Sequence, residues 1–149
     1  MKTLFDPAQR QEFVQRIKQL NPESKPLWGK MTVAQMLRHL CVWEEMIHEN
    51  KIYKRPFIGR LIGPIILKQV LKTPDFRRNS PTVPETRITE TGIDMKEESR
   101  KLIASLDRYA TYNIADYSFI HPFFGRMTRE QIGQLAYKHL DHHLRQFGV

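Results

Sequence analysis

Three of the six histidines in this chain fall within five residues, in the stretch "YKHLDHHLRQF" from Tyr137 to Phe147. Imidazole serves as a neutral metal ligand, as a proton carrier near pH 7 or as a hydrogen-bonded core group, so spacing has to discriminate among these roles. His139 and His143 stand four residues apart, which on a helix brings their Cβ atoms to ~6 Å. Two buried imidazoles at that separation can share one ion, but they repel if both are protonated. Coordination resolves the conflict by taking the neutral ring through one nitrogen and leaving the other N–H for an acceptor behind it. Two core histidines satisfied by ordinary hydrogen bonds are the alternative.

The helix that carries them argues for burial. At ~100° per residue, Ile132, Ala136, His139, His143 and Phe147 share a narrow arc with Leu135 and Leu140 on its flanks, while Lys138 and Asp141 project to the far side. A polar face is therefore available, and the two imidazoles stand on the other one. A solvated basic tail does not fit.

An open metal site needs a third protein ligand from another element, with the remaining positions left for water or substrate. His39 lies on the shoulder of an apolar helical stripe, three residues after Met36 and four before Trp43, and can look into a groove between helices. His48, near the end of the same helix, reads as solvated or as a partner of the helix dipole. His142 is at the edge of its helix's buried face, and adding it would crowd three ligands onto one helix. His121, before Pro122, reads as a loop residue able to line an entrance. Glu44 sits on the flank of its helix, where it reads as a surface or hydrogen-bonded structural carboxylate, with support of the ligands from behind as the other role. Trp28 and Phe124, beside turn glycines, can wall a pocket, although such aromatics also close the ends of a helical core.

The elements that must position these residues are legible from their punctuation. Asp6 followed by Pro7 caps a helix to about Leu20. Thr32 with Gln35, and Thr128 with Gln131, are capping boxes that open helices to about Glu49 and Gln146. A further helix runs from about Asp94 to Tyr112, and a shorter piece from Gly59 to Leu71 is weakened by Gly63 and Pro64. Thr73 to Gly92, with Pro74, Pro81 and Pro84, reads as a long ordered loop. No segment shows period-two alternation. The expectation is one all-α domain over residues 1–149, a four-helix bundle with an extra short helix and a long central loop.

At the ligand residues the sequence resembles a known group. "MTVAQMLRHL", followed about 100 residues later by "HLDHHLRQ", looks like the DinB/YfiT-like four-helix-bundle metalloproteins. In these, a helix-two histidine and an HxxxH pair on the last helix hold a divalent metal, often nickel or zinc. The resemblance matches His39 to the helix-two ligand and His139 and His143 to the pair, with Gln146 as a polar residue one turn on. "HPFFGRMT" and "KHLDHHLRQFG" resemble a branch of this group known only as of unknown function. Characterised members include bacillithiol transferases and mycothiol-dependent maleylpyruvate isomerases. The resemblance therefore implies a metal-dependent enzyme in which a low-molecular-weight thiol is activated for transfer to a small electrophile.

Metal-dependent hydrolysis is the competing chemistry, and a non-catalytic metal or ligand-binding protein with a basic partner surface is the reading from another class. The net charge is +8, but the cations are scattered, and their densest run, from Lys51 to Arg78, accompanies no nucleic-acid motif. A small-molecule substrate is expected rather than nucleic acid. The apolar window from Leu61 is far shorter than the ~20 residues of a span, so no membrane is expected. A single cysteine, Cys41, excludes an internal disulfide. "MKTLFDPAQR" carries no secretory signal, which makes the cytoplasm the expected location. Related bundles often pair, so a homodimer is expected.

Overall fold

The structure is a computed structural model that describes every residue except Met1, Asn50, Ile52, Pro81, Tyr117 and Ser118. It is mostly helical: α1 (Pro7–Gln19), α2 (Val33–His48), α3 (Phe57–Lys72), α4 (Met95–Asp107) and α5 (Arg129–Gln146). A two-stranded antiparallel hairpin, β1 (Ile120–His121) and β2 (Gly125–Arg126), precedes α5.

The helix starts form as their sequences require. Asp6 accepts from the Ala8 N–H ahead of Pro7, and Asp94 accepts from Lys96 and Glu97. Both capping boxes close in full, Thr32 with Gln35 and Thr128 with Gln131. Each removes orphan N–H groups worth ~1 kcal/mol per cap. α4 tightens at its end into a 3-10 turn, Arg108–Ala110.

α2 packs along α4, α1 against α4 and α5, and α3 against α5 and β2. The core between them gathers Phe13 and Ile17, Met36, Leu37, Leu40 and Ile47, Leu102 and Leu106, and Ile132, Leu135, Leu140 and Leu144. α2 is buried on nearly all sides, which is why it can carry polar side chains into two different interior neighbourhoods.

Two expectations change. α3 is no minor piece, for at 16 residues it equals α2. Pro64 is tolerated because it lies on the exposed side, and the carbonyl it deprives belongs to exposed Arg60, where water can satisfy it. Gly63 is required rather than weakening: a Cβ there would collide with the Phe123 carbonyl oxygen and come 3.1 Å from Phe124 Cα. The hairpin was not foreseen, because two-residue strands are too short to show alternation.

The stretch from Thr73 to Gly92 is a long connection whose regular structure is one 3-10 turn, Pro84–Thr86. Of its prolines, Pro81 lies outside the described residues.

Candidate metal centre

α2 delivers His39 and α5 delivers His139 and His143 to one point. The three rings form a nearly equilateral triangle, with centroids 4.9, 4.7 and 4.8 Å apart. One nitrogen from each lies within 4.8 Å of the others, and all three residues are buried. This cluster can hold a metal ion.

Hydrogen bonding assigns the tautomers of two rings. His39 Nδ1 is 2.7 Å from the Thr86 carbonyl oxygen, and His143 Nδ1 is 2.9 Å from Gln146 Oε1. Both oxygens can only accept, so each Nδ1 carries the proton and each Nε2 presents a lone pair. Gln146 is oriented in turn, its Nε2 donating 2.6 Å to the Trp28 carbonyl. An acceptor behind each ligating imidazole is the arrangement that fixes ring orientation and raises ligand basicity.

The donor set is out of balance without a cation. Three neutral rings bring three N–H groups and three lone pairs, and two of the N–H groups are spent on Thr86 and Gln146. At most one remains for the three lone pairs. His139 Nε2 faces His39 Nε2 at 2.9 Å, and His139 Nδ1 is buried with no hydrogen-bond partner among the described residues. Two nitrogens held at ~2.1 Å from one ion at the tetrahedral angle lie ~3.4 Å apart, so the His39–His139 pair is close to the spacing of shared coordination.

Electrostatics keep the set in ligand form. Burial lowers the pKa of His39. Burial, then the neighbouring rings of His143 and His39, pushes His139 well below the usual imidazole range. Burial followed by the His39 ring brings His143 to about 3. All three are neutral at pH 7.

Aromatic side chains wall the triangle. Trp43 packs on His139 with ring centroids 4.8 Å apart, and Phe76 lies 6.2 Å from the same ring. His121, on β1, is 5.1 Å from Trp43 and stacks at 4.5 Å on half-buried Phe124. Its Nδ1 accepts from the backbone N–H groups of Phe123 and Phe124 at 3.1 and 3.0 Å, so the proton sits on Nε2. His142 stands beside Trp28 at 5.5 Å and Phe76 at 5.8 Å.

Residues 5–148 match the family described as Protein of unknown function (DUF1569). The chain belongs to that family. Comparison with curated proteins and with solved structures found no match. The DUF1569 match takes in His39, His139, His143, Gln146, the loop that supplies Thr86 and the hairpin that supplies His121.

Of the residues singled out in the sequence, this DUF1569 chain gathers His39, His139 and His143 and sets Gln146 and His142 against His143. It places His121 one ring away across Trp43, with Trp28 beside His142 and Phe124 beside His121. Glu44 is not in that group. It turns to the other side of α2, where its Oε2 lies 3.4 Å from His48 Nε2 and where buried Tyr109 is held well above its ordinary pKa by burial and then by Glu44. His48 is accordingly buried against Tyr109 and Tyr112 rather than solvated.

Lys138 also departs from expectation. Its stem is buried, and its Nζ donates to the Val70 and Thr73 carbonyls at the end of α3, where a cation meets the negative end of the helix dipole. Thr86 escaped sequence reasoning because it acts through its backbone carbonyl, which every residue type possesses. Phe76 left no signal of periodicity, since it lies in a loop.

His121 supplies a pH test. Burial, with the Arg55 charge adding to it, lowers its pKa to about 3, against ~6.5 in an unfolded chain. Between those values the unfolded state takes up the proton and the folded state does not. The contribution is therefore complete above pH ~6.5 and is lost as pH falls, at ~1.4 kcal/mol per unit. His121→Asn keeps an oxygen for the two N–H groups but cannot be protonated. Urea unfolding of the metal-free protein should show its acid slope reduced by about that amount; an unchanged slope would mean that His121 does not stay neutral in the folded state.

Proposed function

We propose that this DUF1569 chain is a metal-dependent enzyme of the DinB/YfiT-like kind. In this reading α1, α2, α4 and α5 form a four-helix bundle, α3 is the added helix, and His39, His139 and His143 hold a divalent ion, nickel or zinc. The observation that carries it is the surplus of buried lone pairs: two N–H groups of the three rings are committed to Thr86 and Gln146, and one nitrogen of each ring faces a common centre.

A bound divalent ion supplies Lewis acidity, which lowers the pKa of a low-molecular-weight thiol and readies its sulfur to attack a small electrophile. The chain's own residues do the rest. Thr86 and Gln146 hold two ligating rings in the tautomer with a bare Nε2. Trp43 and Phe76 keep water from the rings. His121 keeps its protonated Nε2 without becoming charged, which suits a neutral hydrogen-bond donor.

Thiol transfer stands ahead of hydrolysis on the resemblance to thiol-dependent enzymes. No carboxylate belongs to the donor group among the described residues, and Glu44 is engaged with His48, so a glutamate base of the HExxH kind is not at hand for water. The reading carries a reducing cytoplasmic setting with it, supported by a single, buried cysteine, Cys41.

The test uses untagged protein loaded with zinc or nickel, assayed with cysteine, glutathione, bacillithiol and mycothiol against a chloroarene and an epoxide. Thiol-dependent turnover is expected, falling at least ~100-fold in His143→Ala. Ester hydrolysis without thiol dependence would replace this reading with the hydrolase, and no turnover in either assay would remove the enzyme.

A further inference from the structure

We propose that α3 is a surface anchor that lays the protein on an anionic lipid bilayer. The inference is independent of the metal centre and rests on how α3 divides its two faces.

The inner face is pinned. Gly59, Gly63, Leu67 and Leu71 are its buried residues, and the two glycines let the helix rest directly on the Phe123–Phe124 backbone. Lys138 from α5 holds the carbonyls at its far end. The rotation of α3 about its axis is thereby set, so what it shows to solvent is a built feature.

The outer face is apolar where a soluble surface should be polar. Phe57, Ile58, Leu61, Ile62 and Ile65 are between 36% and 74% exposed, and at ~100° per residue they form one stripe. The same stripe continues through Lys68 and Lys72, seven and eleven residues after Leu61, so its second half is cationic. Lys54 and Arg60 are exposed beside its start. From Lys51 to Pro74 the sequence has six lysines and arginines and no aspartate or glutamate. Lys51 is paired with Glu45 and Glu49 and Arg55 turns in to the Gly59 carbonyl, which leaves Lys54, Arg60, Lys68 and Lys72 exposed.

This chemistry selects among occupants. A second copy joined stripe to stripe in parallel would set cations against cations, and an antiparallel copy would leave Lys68 and Lys72 over apolar side chains or outside the contact, in either case without an acidic partner. A folded acidic partner would need a groove shaped to a convex ridge of Phe and Ile. A bilayer needs no such shape: its acyl boundary accepts the apolar side chains and its anionic headgroups meet the lysines. Among the described residues no helix is long and apolar enough to cross a membrane; lying in the interface asks only for an amphipathic face, which narrows the expectation that no membrane is involved.

Sedimentation of the full chain with vesicles tests this. Vesicles of phosphatidylglycerol and phosphatidylcholine in equal parts should retain the protein, in a salt-dependent way, and vesicles of phosphatidylcholine alone should not. The Phe57→Ser/Ile65→Ser variant should lower retention at least ~10-fold, as should Lys68→Glu/Lys72→Glu. Both pairs are exposed, and unchanged circular dichroism confirms the fold. Lack of retention on the anionic vesicles, or equal retention on both kinds, overturns the proposal. So does a dimer in sedimentation velocity that the Phe57→Ser/Ile65→Ser variant dissolves, since a second copy would then be the occupant.

Discussion

His139→Ala and His143→Ala should each abolish tight binding of zinc or nickel by the untagged protein. Either variant removes one of three donors converging on a single point, and the loss in affinity should exceed the ~10–100-fold that follows removal of a group supporting a ligand from behind. Gln146→Leu belongs to that lesser class: it deprives His143 Nδ1 of its acceptor but leaves all three imidazoles, so affinity should fall by about 10–100-fold. Isothermal titration and elemental analysis after dialysis read the series. An ion at one hundred times its dissociation constant should stabilise the native chain by ~2.7 kcal/mol and leave the two alanine variants unmoved. Equal metal content in all four proteins would show that the triangle of rings is a hydrogen-bonded core cluster and would remove the basis for the proposed chemistry.

Gly63→Ala should destabilise the fold by ~2–4 kcal/mol, although alanine gains up to ~1 kcal/mol in helix propensity over glycine. The added methyl would overlap the Phe123 carbonyl oxygen and crowd Phe124 Cα. Both are backbone atoms of the hairpin, which cannot turn aside as a flexible side chain can. Gly59→Ala should cost less, since its methyl would come 2.9 Å from the same oxygen. Because the hairpin carries His121 and Phe124, the larger variant should also disturb the aromatic wall beside the metal centre. Urea unfolding orders the three proteins; equal stabilities would mean that α3 does not rest on the hairpin.

The helix starts and the ligand pair could be read from local chemistry. An aspartate before a proline, or a threonine three residues before a glutamine, satisfies orphan N–H groups wherever it occurs, and Asp6, Thr32 and Thr128 do so. His139 and His143 share a face because the helical period places them there. Where the structure departs from the expectation, in the full length of α3 and in the hairpin, the deciding contacts join residues about sixty positions apart. A glycine that serves such a contact looks the same in sequence as one that breaks a helix.

The remaining division is between period and partner. Local sequence was enough to name the pair His139 and His143, the faces they occupy and the caps that hold the helices, because each of these depends on residues within a turn or two; His39 was matched to them through the family resemblance. It could not say that the Thr86 carbonyl, 47 residues away, orients His39, or that Glu44 and His48 turn together toward Tyr109 rather than toward the metal centre. Nor could it foresee that the uncharged half of α3 stays uncovered. Those outcomes depend on which surfaces of the folded helices meet, and a backbone carbonyl or an unmatched helix face has no residue type of its own to announce it.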